Sequence, residues 1–240
     1  SRTGYFKDVS FTVNKGEIVG LTGLIGAGRT EVCEAIYGVN PPDSGEIYVE
    51  GKKVWNRHAS HGIKEGIGYL PEDRLKQGLV LDWQIYRNVS LASLEQFGKH
   101  GFMDEGQERK IAKTLGEKLE VKATSVHDKV STLSGGNQQK VIVAKLLTRD
   151  MKVIILDEPT KGVDVGAKTA IYEIMNPLAE EGYGILMVSS EMPEVLGMCD
   201  RIVVMREGRV SAILDAKKTT QEEILQASMD VSIAAGNQSM

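Results

Sequence analysis

The stretch Gly23–Thr30, GLIGAGRT, constrains this chain more than any other. It follows the apolar run EIVGLT (17–22) and leads into TEVCEAIYG (30–38), which reads as a helix closing at Gly38. A buried strand, a glycine-rich turn and a helix start in succession gather backbone N–H groups at one point. The helix N-terminus adds favourable partial charge there, and anions, phosphates above all, bind such places. Gly23, Gly26 and Gly28 let the backbone approach closely, with Leu24, Ile25 and Ala27 between them. The spacing is that of G-x-x-x-x-G-K-S/T, with Arg29 in the lysine position and the Thr30 hydroxyl placed to ligate Mg²⁺. A tight strand-to-helix turn with no ligand needs the same glycines, so the loop alone does not decide.

Two further stretches bear on it. VIILDEPT (153–160) is a buried-strand pattern ending in two acids. Asp157, at the carboxyl end of the strand, can hold Mg²⁺ through water, and Glu158 can polarise an attacking water as general base. A solvated acidic loop end is the bland alternative. LSGGNQQK (133–140) offers Ser134 as a helix N-cap, Gly135 and Gly136 as exposed backbone donors, and Asn137 at the start of an apolar helix. One phosphate loop covers one nucleotide, so a second anion-binding helix start implies another nucleotide, or one shared with a partner.

The remaining pattern is α/β. FKDVSFTV (6–13) alternates Val9, Phe11 and Val13 as a half-buried strand would, and so little precedes it that the chain reads as a piece of something longer. EIYVEGKKV (46–54) reads as a hairpin and IGYL (67–70) as a buried strand. Residues 73–150 turn polar and helical, with Asp104 and Gln107 as a capping box and Ile111, Leu115 and Leu119 on one face. Strands then return at 151–156, 185–189 and 201–205. Between them lie a helix carrying Ala167, Ile171, Ile174 and Leu178, which Pro177 is expected to bend or end, and a short helix from about Glu191. Continuous apolar strands alternating with helices predict a mainly parallel core sheet, with 73–150 inserted between its strands. A helix capped by Thr220 and Glu223 and a frayed polar end close the chain.

Composition excludes some classes. A net charge of −4 and a pI of about 5.7 over 240 residues give no basic excess for nucleic acid. The apolar runs are far shorter than a membrane span, and no signal-peptide profile appears. Cys33 and Cys199 share no metal or redox spacing and point to a reduced, cytoplasmic setting, with Cys33 in the core. His58 and His61 read as a polar loop rather than a metal pair, and the methionines at 187, 192, 198 and 205 as gap-fillers.

Phosphate loop, LSGG and LDEPT, in that order, resemble the ATP-binding cassette (ABC) ATPases. GAGRTE (26–31), PEDR (71–74), GVDVGAK (162–168) and SSEMPEVLGMCDR (189–201) resemble in particular the C-terminal half of the double-cassette subunit of bacterial monosaccharide importers of the ribose type. The resemblance implies a P-loop NTPase cassette with an antiparallel β portion and an inserted helical subdomain. Its boundaries would be a RecA-like core over 1–72 and 151–215, helices over about 73–150, and a tail over 216–240. It implies ATP and Mg²⁺ as cofactors, a sister cassette of the same polypeptide and membrane permease subunits as partners, and a sugar-binding protein indirectly. It also implies a peripheral place on the cytoplasmic face of the membrane. Nucleotide would be bound by residues 23–31 and, from the partner's side, by Ser134, Gly135, Gly136 and Asn137. Metal would be held by Thr30, Asp157 and Glu72, with Glu158 and Ser190 as catalytic groups.

The sequence departs from an ordinary hydrolysing cassette at four positions. Arg29 replaces the lysine, Glu31 a hydroxyl residue at the α-phosphate, Glu72 the Q-loop glutamine, and Ser190 the switch histidine. Guanidinium is bulkier than ammonium, the two glutamates add negative charge near phosphate, and a hydroxyl reaches less far than imidazole. The expectation is an impaired site of its own beside a sound LSGG. Tyr5 is the one candidate in this chain for stacking on adenine. A non-hydrolysing regulatory module, an importer of another sugar, autoinducer or nucleoside, and a cassette acting on DNA or ribosomes are the alternatives, the last disfavoured by the acidic pI.

Overall fold

The computed structural model describes residues 4–99 and 102–229. Strand β1 (Ile18–Gly23) runs into helix α1 (Arg29–Tyr37), followed by the hairpin β2 (Ile47–Val49) and β3 (Lys52–Val54), then α2 (Ala59–Lys64) and β4 (Ile67–Leu70). A π-helical turn at Arg74–Gly78 leads to α3 (Ile85–Ser90), α4 (Leu94–Phe97), the two-residue strands β5 (Gly98–Lys99) and β6 (Phe102–Met103), α5 (Glu105–Lys118) and α6 (Gly135–Leu147). The chain continues through β7 (Val153–Asp157), α7 (Val165–Glu180), β8 (Gly184–Val188), α8 (Met192–Met198), β9 (Arg201–Arg206), β10 (Arg209–Asp215) and α9 (Gln221–Ser228).

Six strands form one sheet in the order β10-β9-β1-β8-β7-β4, parallel except for the antiparallel β10–β9 edge. Strand β1 is paired on both sides, to β8 and β9. The apolar runs of β4 and β8 are buried throughout, as strands covered on both faces must be. Ile155 and Leu186 belong to one hydrophobic cluster, Ile154 and Ile185 to another. Burying each such side chain contributes about 1.5–3 kcal/mol, which is why these runs survive as strands. The hairpin forms as read, its turn carried by Glu50 (φ 49°) and Gly51 (φ 76°). Among the described residues no helix is long and apolar enough to cross a membrane.

Four expectations change. His58 and His61, read as a polar loop, are the N-cap and an inner residue of α2. Residues 6–13 form no strand; Phe6, Val9, Phe11 and Val13 do pack against the core. Alternation there reports burial, whereas a strand also needs a laddered neighbour. Helix α7 runs through Pro177 to Glu180 instead of ending there. The box at Asp104 is half made: the Asp104 carboxylate accepts from Gln107 N at 3.1 Å, but Asp104's own N–H is spent on Phe97 O at 2.8 Å. The reciprocal box is present at Thr220 and Glu223. The polar end beyond residue 229 lies outside the described residues.

Candidate functional site

Parallel pairing brings the carboxyl ends of β1, β4, β7 and β8 to one edge, where ligands of open α/β sheets gather. The glycine loop leaves β1 there. Gly23 has φ 151°, and a Cβ on it would meet Met205 O of β9 at 2.2 Å, so the loop must begin on glycine. Ala27 N donates to Leu24 O at 3.0 Å, closing a turn whose crown, Gly26 at φ 82°, faces open space. Leu24 and Ile25 are exposed. Gly28, left-handed at φ 90°, is the N-cap of α1, and a Cβ on it would lie 2.5 Å from Tyr5 O. Among the described residues, only Ala27 of the Leu24–Gly28 N–H groups donates to a protein acceptor.

The two acids occupy different surroundings. Asp157 is fully buried; Tyr69 donates to Oδ2 at 2.9 Å and Thr30 to Oδ1 at 3.4 Å. Burial raises its carboxyl from 3.8 to about 6, against the lowering by the two hydroxyls, and the charges of Glu72 and Glu158 add to the rise. Burial, followed by the charge of Asp157, also raises the Tyr69 phenol, so that it stays a donor. Glu158 sits in the left-handed region at φ 46°, a conformation a non-glycine residue keeps only when its surroundings hold it. Its N–H donates to Val188 O at 3.0 Å, and its Oε2 accepts from Ser190 N at 3.2 Å and Ser190 Oγ at 3.1 Å.

Arg29 turns toward this carboxylate. Its Nη1 lies 3.1 Å from Glu158 Oε1 with both side chains about nine-tenths buried, yet the same nitrogen has no acceptor in hydrogen-bonding geometry. The pair is close in charge but poor in direction, which leaves a buried donor unused beside the glycine crown. That donor, the free loop N–H groups and the open face of Gly26 fit an anion. The Thr30 hydroxyl and the Asp157 carboxylate fit a magnesium ion, which takes few protein oxygens and completes its shell with water and phosphate. Among the described residues, no three His, Cys, Asp or Glu side chains converge on a metal position.

The predicted residues divide into two groups. Residues 23–30, Asp157, Glu158 and Ser190 come together. Glu72 is held in an ion pair with Lys161 Nζ at 2.5 Å, near enough for its charge to raise Asp157, and the side chain of Glu31, in the first turn of α1, makes no hydrogen bond or ion pair among the described residues. Ser134, Gly135, Gly136 and Asn137 form a separate place, and none of their hydrogen bonds reaches residues 23–31. Ser134 occupies the N-cap of α6 without capping a backbone N–H through its side chain; its Oγ accepts from Asn137 Nδ2 at 2.9 Å. Asn137 Oδ1 accepts from Lys122 N at 2.7 Å. A Cβ on Gly136 would lie 2.9 Å from Ala167 Cβ, and one on Gly135 2.8 Å from Arg74 Nη2.

Tyr69, Lys161 and Arg74, which donates to Lys161 O at 3.3 Å, had no part in the sequence reading of the site. Tyr69 carries the one polar side-chain atom in the buried run IGYL, a signal that something at the strand end must accept its proton.

Comparison with known proteins identifies the family and the fold. Ribose import ATP-binding protein RbsA of Lactococcus lactis subsp. lactis (strain IL1403) is 51% identical over 222 residues, 92% of this chain and 45% of that protein. RbsA of Bacillus subtilis (strain 168) is 49% identical over 222 residues, with the same coverage of 92% and 45%. The chain therefore spans about half the length of the curated relatives it matches. A nucleotide-free ATP-binding cassette from an ABC transporter shares the fold at a TM-score of 0.80 and 21% identity, over 94% of this chain and 92% of that one. A dimeric cassette in a post-hydrolysis state, bound to ADP and Pi, does so at 0.74 and 24%, over 90% and 92%. The profile described as ABC transporter matches residues 6–161, and the chain belongs to that family.

Proposed function

We propose that this chain is the ATP-handling half of a double-cassette subunit that energises import of a monosaccharide of the ribose type. In this reading its own phosphate site is impaired, and its Ser134–Asn137 helix start completes a site on the sister cassette. The loop residues 23–31 would hold the phosphates, and Thr30 and Asp157 the magnesium. When bound, magnesium supplies neutralising charge to the phosphates. Glu72, tied to Lys161, would reach the metal only by giving up that pair. Tyr5, whose carbonyl lies against Gly28, remains the adenine candidate.

The observation that carries the reading is the Arg29–Glu158 ion pair. One oxygen of the would-be base faces a guanidinium and the other takes two hydrogen bonds from Ser190, so the carboxylate is engaged before any water arrives. Ser134 is exposed and its neighbours are internally satisfied, which suits a surface offered to a second cassette. The division into a core and a helical part over about 73–150, the docking of permease subunits on that helical part, an indirect link to a sugar-binding protein and a peripheral place on the cytoplasmic face belong to the same proposal. The relatives named for ribose import support its sugar class.

The test is ATP affinity and turnover of the purified chain, alone and with its sister half. Little turnover is expected alone. Arg29→Lys, which loosens the pair with Glu158, should tighten ATP about tenfold, or about 1.4 kcal/mol. Strong turnover by the unaltered chain, abolished by Glu158→Gln, would refute the impaired site. ATP binding unaffected by the sister half, with no turnover in either state, would favour a regulatory module.

A further inference from the structure

Behind the acidic pair lies a second carboxylate that the reading above does not use. Glu194, on α8, is 6% exposed. Thr160 Oγ1 lies 2.7 and 2.9 Å from its two oxygens. Tyr172 OH donates to Oε1 at 2.7 Å, Lys168 Nζ to the same oxygen at 3.1 Å, and Ser189 Oγ to Oε2 at 2.7 Å. A buried carboxylate is costly unless donors surround it, and here they come from three separate segments: the loop after β7, helix α7 and the end of β8. Two of those donors bracket the candidate site. Thr160 is two residues past Glu158, and Ser189 is one residue before Ser190, the residue that gives both its N–H and its hydroxyl to Glu158.

The left-handed backbone at Glu158 makes this bracketing consequential. A strained residue holds its conformation only while both flanking segments are pinned. Glu158 N is pinned to Val188 O, on the residue just before Ser189. Ser189 O in turn accepts from Thr22 Oγ1 at 2.9 Å, at the end of β1, and Ser189 Oγ accepts from Glu191 N at 3.0 Å. The segment 188–191 is thus fixed along its length: Ser189 is tied to Glu194, Ser190 to Glu158, and Glu191 to Lys168, which Glu194 also holds.

We infer that Glu194 is a positioning residue that holds Ser190 against Glu158 by gathering the hydroxyls of Thr160, Ser189 and Tyr172 and the ammonium of Lys168 around one buried carboxylate. It touches neither phosphate loop nor signature and acts through Ser189 and Thr160. Glutamine has nearly the same shape but replaces one acceptor oxygen with a donor amide. In Glu194→Gln that amide faces hydroxyls that must turn away, and Lys168 loses its buried anion. The inference goes beyond the transport reading, because it concerns how the Glu158–Ser190 contact is held whatever the chain does with it.

The experiment is residue-resolved hydrogen exchange on the unliganded chain, comparing the natural protein with Glu194→Gln. The Ser190 amide should exchange at least about tenfold faster in the variant, while amides of β1 and β9 keep their rates. Unchanged Ser190 exchange in a folded variant, or equal acceleration everywhere, would overturn the inference. Should Glu194→Gln fail to fold, Ser189→Ala removes one donor and must speed the same amide; no acceleration there counts against it equally. A second readout is a double-mutant cycle of Glu194→Gln with Ser190→Ala on Mg·ATP affinity. The paired variant should bind no worse than the weaker single one, and additive losses would contradict action through Ser190. If the natural chain binds no ATP, the functional proposal fails while the exchange result still decides this one.

Discussion

The two glycine-rich turns of this chain use glycine for opposite reasons. At Gly26 the backbone has φ 82° and a Cβ would meet nothing within 4 Å, so glycine supplies conformation and leaves the crown open. At Gly136 the backbone is helical and a Cβ would lie 2.9 Å from Ala167 Cβ, so glycine supplies closeness between α6 and α7. The charges differ as well. The first turn crowds Arg29, Asp157 and Glu158 together in a buried, imperfectly paired cluster, whereas the second carries an exposed Ser134 linked to Asn137 and Lys122. One place is held under electrostatic tension and the other is relaxed; a glycine pattern alone distinguishes neither.

The largest expected effect attacks that tension. The rise of Asp157 from 3.8 to about 6 corresponds to about 3 kcal/mol by which the folded, metal-free chain disfavours the ionised form. The unfolded chain gives up this proton near 3.8 and the folded chain near 6, so this contribution lowers stability as pH rises through that interval and stays unfavourable above it. Asp157→Asn should therefore stabilise the metal-free chain at pH 7 by up to about 3 kcal/mol in urea unfolding, and should flatten that part of the pH profile. A destabilised variant would mean that the cluster is relaxed and the contrast wrong.

Next comes the pair of glycines. Gly136→Ala should cost about 1–3 kcal/mol through overpacking against Ala167. Gly26→Ala should cost about 1 kcal/mol, from the left-handed backbone alone. A reversed order in urea midpoints would break the assignment of their roles. The smallest effect is at Ser134. Because its side chain caps no backbone N–H, Ser134→Ala should cost about 0.5 kcal/mol or less, below the usual loss of a cap. It should leave this chain's own ATP affinity unchanged, and a lowered affinity would join two places that the structure keeps apart.

Much of the sheet was legible because its strands announce themselves. VIIL and ILMV are buried runs between helices, and β1 declares itself by ending in glycine. The segment 6–13 misled because its alternation records only that Phe11 and Val13 face inward, with no ladder beside them. Pro177 does not end its helix, which runs three residues further to Glu180. The loop and the acidic pair could each be picked out from local pattern, and Ser190 from the family resemblance. Their partners could not, since Tyr69 meets Asp157 across 88 positions and Glu194 meets Thr160 across 34.

The amino-acid order determined by itself which segments are apolar, where glycine frees the backbone, and which charged residues depart from a phosphate-binding pattern. These are properties of short windows, set by side-chain chemistry and backbone sterics. Only the tertiary structure decided that Arg29 faces Glu158, that Asp157 is buried beneath two hydroxyls, and that Glu194 gathers donors from three segments. Ion pairing and burial depend on which distant segments the sheet lays side by side, and β7 acquires its neighbours β4 and β8 only when the core closes around it.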